Sequence, residues 1–153
     1  MIVLDTNVLS ELRLATPDTN VATWFAALPE RDIGVASFSL TEIAYGIAST
    51  TGALLVPPLT AWLDFILETQ RVLPLDGPAA RLLGRLYAIP ALRNLATTRP
   101  GAKRPRFGGD LAIAATAVVN EATVATRDIA DFRLIAAHCP GLSGVNPWSS
   151  ETF

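Results

Sequence analysis

MIVLDTNVLSE, residues 1–11, decides how the rest of the chain is read. Ile2, Val3 and Leu4 form an apolar run without alternation, the pattern of a short strand buried on both faces. Asp5 ends the run. A turn acid there is ordinary punctuation, but an acid at the end of a buried strand can also project into a site. Which role Asp5 has depends on what else the chain brings to the same place.

Four further segments resemble the first. DIGVAS (32–37), RVLPLD (71–76) and ATVAT (122–126) read as strands, and LSGVNP (142–147) as a weaker fifth. Helical patterns lie between them, over residues 18–28, 39–49, 58–69 and 78–89. DLAIAATAVVN (110–120) is apolar all round and is expected to be a buried helix. Strands alternating with helices predict an α/β fold, a single domain over residues 1–153 with a mainly parallel sheet of about five strands flanked by helices.

Composition narrows the class. Half the residues are apolar and 17% are charged, enough for a core without staples. The single cysteine, Cys139, permits no internal disulfide and suits a reducing, cytoplasmic compartment. No secretory signal is expected, since Asp5 interrupts the first apolar run. Residues 43–63 carry no charge, but Gly52, Pro57, Pro58 and several Ser and Thr residues argue against a membrane span. A net charge of −2 does not describe a strongly basic nucleic-acid binder, although basic residues are concentrated in one place. Seven of the twelve Lys and Arg lie between Gly77 and Gly109, with no acid among them. The second half of that segment, RNLATTRPGAKRPRFGG (93–109), reads as a loop, and Arg99, Lys103, Arg104 and Arg106 are its candidate nucleic-acid contacts.

In a parallel α/β sheet, strand C-termini and the N-termini of the following helices share one edge, where ligands bind. Asp5 ends the first strand, Glu42 lies early in the helix after the second, Asp110 opens the buried helix, and Asp128 follows the fourth strand. Each acid also has a bland reading. Asp5 can make a turn, Ser39 and Glu42 fit a capping box, Asp110 fits an N-cap, and Asp128 can cap a short helix through IADF. Together, four carboxylates in one crevice repel one another. Hard oxygen donors without His or Cys suit Mg²⁺ or Mn²⁺.

The segments IVLDTNVLSEL, SLTEIAYGI, GGDLAIAATA, VATRDIADF and GVNPW resemble the motifs of PIN-domain proteins, above all the VapC-like toxins of bacterial toxin–antitoxin pairs and their FitB-type branch. The resemblance runs from Met1 to about Trp148. It implies a metal-dependent nuclease acting on RNA and leaving 5′-phosphate and 3′-hydroxyl ends. The family's acidic quartet falls on Asp5, Glu42, Asp110 and Asp128, as catalytic and metal-holding residues. Asn7 and Thr126 match supporting polar positions, while Asp131 reads as a helix-side residue. Residues 96–107 are longer and more basic than the family pattern.

The resemblance also implies an antitoxin partner, operator DNA reached only through it, and a homodimer or a larger hetero-oligomer with it. Trp24 and Phe25 on one helix, and Trp62, Phe65 and Ile66 on another, offer an apolar docking surface for an amphipathic antitoxin helix. The competing class is a weakly active or inactive binding module in a DNA-bound repressor complex.

Other acid-based chemistries fit less well. A phosphatase of the haloacid-dehalogenase type needs a second Asp where this chain has Asn7, and a receiver-type phosphoacceptor needs a Lys at the pocket, whereas the only Lys is Lys103. No P-loop, dinucleotide fingerprint or nucleophile elbow is present. His138 and Cys139 are two ligands at most and read as structural.

Overall fold

The computed structural model describes residues 1–97 and 108–153. Five short strands form one parallel sheet: β1 (Ile2–Leu4), β2 (Ile33–Ala36), β3 (Arg71–Leu73), β4 (Thr123–Ala125) and β5 (Ser143–Val145), in the order β3-β2-β1-β4-β5. β1 is central and pairs in parallel with β2 on one side, Leu4 opposite Val35, and with β4 on the other, Leu4 opposite Ala125. The chain runs outward from β1 to β3, then returns to the far side of β1 for β4. The order therefore reverses between β1 and β4, and the crevice beyond their C-terminal ends is the natural ligand position.

Successive strand residues face opposite ways. Val3, Ala36 and Val124 join one core with α5 (Gly77–Tyr87), α7 (Gly109–Val119) and α8 (Ile129–Ala136). Leu4, Val35 and Ala125 join another with α1 (Thr6–Leu12), α2 (Thr19–Ala26), α3 (Ser37–Ala48) and α4 (Val56–Thr69). Leu111 through Ala117 are all buried, as the all-round apolar pattern of α7 predicts. Pro57 and Pro58 sit in the first turn of α4, where a missing N–H costs nothing. Beyond β5 the chain turns back, and Phe153 exchanges backbone hydrogen bonds with Gly144, closing that edge. Among the described residues no helix is long and apolar enough to cross a membrane.

Three local expectations change. The helix α1 directly after Asp5 has no counterpart in the sequence reading. Residues 93–96, read as loop, form the short helix α6 (Arg93–Ala96). α3 begins at Ser37 with Ala36 as its N-cap, so Ser39 lies inside the helix and the capping box with Glu42 does not form. The Ser39 hydroxyl is instead buried and, among the described residues, has no hydrogen-bond partner.

Candidate active site

Asp5 does both things its position allows. It caps α1, with Oδ1 accepting from the Thr6 amide at 2.6 Å. Its Oδ2 faces β4 and accepts from Thr126 Oγ1 at 2.7 Å and Asn7 Nδ2 at 2.7 Å. The residue is 3% exposed. Burial, with the negative charges of Asp110 and Glu42 behind it, pushes its pKa up to about 7, and the bonds from Thr126 and Thr6 oppose the rise.

Asn7 and Thr126 tie the ends of β1 and β4 together. Asn7 Nδ2 donates to Asp5, to Thr126 Oγ1 at 3.2 Å and to Asp128 Oδ2 at 3.2 Å, while its Oδ1 accepts from the Arg127 amide at 3.1 Å. Thr126, fully buried, accepts from the Asp128 amide at 2.9 Å. Asp128 occupies the N-cap position of α8 without a capping bond from its side chain, so its carboxylate is directed by Asn7 rather than by the helix.

Glu42 arrives from α3. Its Oε2 accepts from Thr6 Oγ1 at 2.6 Å, and burial raises its pKa. Its carboxyl group lies against Gly109, the first residue of α7: a Cβ added there would overlap Oε1 and stand 2.8 Å from Cδ. Gly108 precedes it in the left-handed region, φ 69° and ψ 30°, and a Cβ there would stand 2.6 Å from the Tyr87 hydroxyl. Gly108, and not Asp110, is therefore the N-cap of α7. Asp110 occupies the first turn, where the helix dipole favours its charge.

Asp5, Glu42, Asp110 and Asp128 line one cavity of about 560 Å³, together with Thr6, Asn7, Ser10, Glu11, Arg13, Leu14 and Arg127. The convergence expected from the sequence is present, and Asp131 is not among the lining residues. Sequence reasoning missed Thr6, whose partner lies 36 residues away, and Arg13, which ends an unforeseen helix. Arg99, Lys103, Arg104 and Arg106 lie outside the described residues. Among the described residues no three acid, His or Cys side chains are gathered closely enough to hold one metal ion as they stand. The chemistry of the donors nonetheless fits a hard divalent cation: the four acids offer oxygens only, and one of them, Asp5, has its pKa raised chiefly by burial and further by the charges of Asp110 and Glu42.

A second cavity, of about 690 Å³, opens beside the first and is mainly apolar, with Arg13, Glu30 and Arg71 among its lining. α1 contributes Leu9 and Leu12, α2 Phe25, and α4 Trp62, Phe65 and Ile66. The docking surface expected from the sequence is thus divided by depth. Phe65 is 58% exposed, Trp24, Phe25 and Trp62 are half-buried, and Ile66 is 3% exposed and belongs to the core.

A parallel α/β domain with an acid-lined crevice at its switch point defines the general class. The chain belongs to the PIN-domain family, matching it over residues 2–137. It is 31% identical to the VapC ribonuclease Y4jK of Sinorhizobium fredii, over 97% of this chain and 98% of that one. It is 30% identical to Toxin FitB of Neisseria gonorrhoeae, over 97% and 99% of the two chains. The fold superimposes on the crystal structure of FitAcB from Neisseria gonorrhoeae with a TM-score of 0.75 at 28% identity, covering 97% of this chain and 99% of that one. A structure of FitAB bound to an IR36 DNA fragment matches with the same TM-score and identity, covering 99% and 98%.

Proposed function

We propose that this protein is the toxin of a toxin–antitoxin pair, a cytoplasmic endoribonuclease dependent on Mg²⁺ or Mn²⁺. The observation that carries the reading is the buried Asp5 in a cavity shared with Glu42, Asp110 and Asp128, at the switch point of a PIN domain. Asp5, Glu42, Asp110 and Asp128 would hold the cation, after rotation of carboxyl groups that now bond to Thr6, Asn7 and Thr126. When bound, such a cation supplies an activated water and stabilises charge on a phosphoryl oxygen.

The protein's own residues do the positioning. Thr126 and Asn7 aim Asp5, Asn7 aims Asp128, and Thr6 holds Glu42 at the start of α7. Water adds to phosphorus as the bond to O3′ breaks, leaving a 5′-phosphate and a 3′-hydroxyl. The partner is an antitoxin whose amphipathic helix enters the apolar cavity over Phe65 and Trp62. FitAB's capture on DNA supports a complex that reaches operator DNA through the antitoxin.

The test is expression of the protein alone followed by sequencing of RNA ends. Growth arrest with new 5′-phosphate ends, absent for Asp110→Asn, is the expected result. Harmless expression of soluble wild-type protein would refute the toxin reading and leave a binding module.

A further inference from the structure

Two arginines stand at the rim of the acidic cavity, and neither is spent on its acids. Arg13 follows the last residue of α1, and Arg127 lies between Thr126 and Asp128; both line the cavity alongside five carboxylates, counting Glu11. A guanidinium beside so much negative charge would ordinarily settle on it. Among the described residues neither does. Arg13 Cζ instead lies over the ring of Trp62, 5.4 Å from its centroid, and Arg127 Cζ lies over Trp148 at 5.1 Å.

The tryptophans are built into the fold. Both pack against the core on the α1 face of the sheet. Trp62 comes from α4, which leads into the edge strand β3, while Trp148 follows β5 at the opposite edge. The backbone of Trp148 is fixed twice, its carbonyl accepting from Asn20 Nδ2 at 2.9 Å and its amide donating to Asn146 Oδ1 at 2.9 Å. A cation over an aromatic face is held without using its N–H donors, which stay available to a third group.

We propose that Arg13 and Arg127 are phosphate clamps on two sides of the acidic cavity, each gripping a backbone phosphate of a single RNA strand whose intervening phosphodiester lies over the carboxylates. The inference rests on the ribonuclease reading and deepens it. An acid-lined cavity repels a polyanion, and two cations held over aromatic rings at its rim turn it into a place a strand can cross. The planar guanidinium fork matches two oxygens of one phosphate. Arg127 does not line the apolar cavity, so a role confined to partner binding does not account for the pair. Arg13 lines both cavities, so a partner seated in the apolar one also covers one of the two clamps.

The experiment is binding of a fluorescein-labelled single-stranded RNA of about fifteen nucleotides to the full chain, followed by anisotropy across a KCl series with chelator present to prevent cleavage. Arg13→Gln and Arg127→Gln should each flatten the log–log salt slope by about 0.7, and the double variant by about 1.4. Arg127→Lys should keep the slope while binding several-fold more weakly, since charge persists and the fork is lost. Calorimetric Mn²⁺ affinity should be unchanged or higher in the Gln variants. If wild type cleaves RNA and the Gln variants keep its slope, the clamps are wrong and the nuclease reading stands. If wild type neither binds nor cleaves RNA at any salt, both fall. If Arg13→Gln leaves the slope intact and loosens a co-expressed antitoxin instead, Arg13 belongs to the protein interface and the proposal is overturned.

Discussion

Gly109→Ala isolates how one carboxylate is held. A Cβ at this position overlaps Glu42 Oε1 and lies 2.8 Å from Cδ, where ordinary contact begins near 3.4 Å. The carboxyl group must retreat by roughly 0.6 Å or more, and the 2.6 Å bond from Thr6 Oγ1 is lost or stretched. A hydrogen bond to a charged group contributes about 1.5–3 kcal/mol. Alanine offsets this by about 0.5–1 kcal/mol, because it restricts the unfolded chain more than glycine does. The net loss is therefore about 0.5–2.5 kcal/mol, or a fall in Tm of roughly 1–10 °C for a chain of this size. In a Glu42→Ala background the obstacle is gone. Gly109→Ala should then raise Tm by a few degrees, because only the loss of unfolded-chain freedom remains. Thermal melts in chelator of the four proteins in this cycle provide the assay. The same loss of Tm in both backgrounds would show that Gly109 acts through the backbone of α7 and refute the reasoning. With Mn²⁺ present, Gly109→Ala should weaken metal affinity in the otherwise wild-type chain, since a 1 Å misplacement can cost a catalytic site about 10²-fold.

Acidification should stabilise the metal-free protein. Asp5 has a folded pKa of about 7, above its unfolded value, so the folded state binds more protons between about pH 4 and 7 and stability falls as pH rises through that window. Chelated melts at pH 5.5 should exceed those at pH 7.5, and a flat profile would refute the assignment. Asp110→Asn removes a charge that pushes on Asp5, so it should shift the midpoint of that profile downward and abolish cleavage. Thr126→Val removes the bond that most lowers the Asp5 pKa, so the midpoint should rise, with a stability loss of about 1–3 kcal/mol read from denaturant melts at neutral pH. Phe65→Ser should weaken antitoxin binding in a pull-down with little change in Tm, whereas Ile66→Ser should lower Tm, because Ile66 is core.

The heart of the parallel sheet was legible because β1 and β2 are mostly buried and appear as apolar runs, whereas the edge strands β3 and β5 carry Arg71 and Ser143 and are weaker signals. The four acids were legible as a set because strand ends and helix starts share an edge. α1 was not, since seven residues starting directly at a strand end offer too little periodicity to separate from a turn. Its one local signal was Asp5 ahead of Val8, Leu9 and Leu12. The bond from Thr6 to Glu42, the ring of Trp148 beneath Arg127 and the fit of Glu42 over Gly109 depend on tertiary register, which no local pattern encodes. Ser39 misled for a related reason: the spacing of a capping box was present, but the helix had already started two residues earlier.

α1 has a practical consequence for inhibitor chemistry. Asp5 caps its first turn inside the acidic cavity, while Leu9 and Leu12 on its flank line the apolar one. The seven residue steps from Asp5 to Leu12 span about 10 Å of helix. An extended peptide covers that length in about three residues. A ligand that anchors an aromatic group beside Leu12 therefore needs only a three-residue tail ending in a cation to reach the carboxylates. Lengthening that tail one residue at a time would measure the distance between the two cavities in solution.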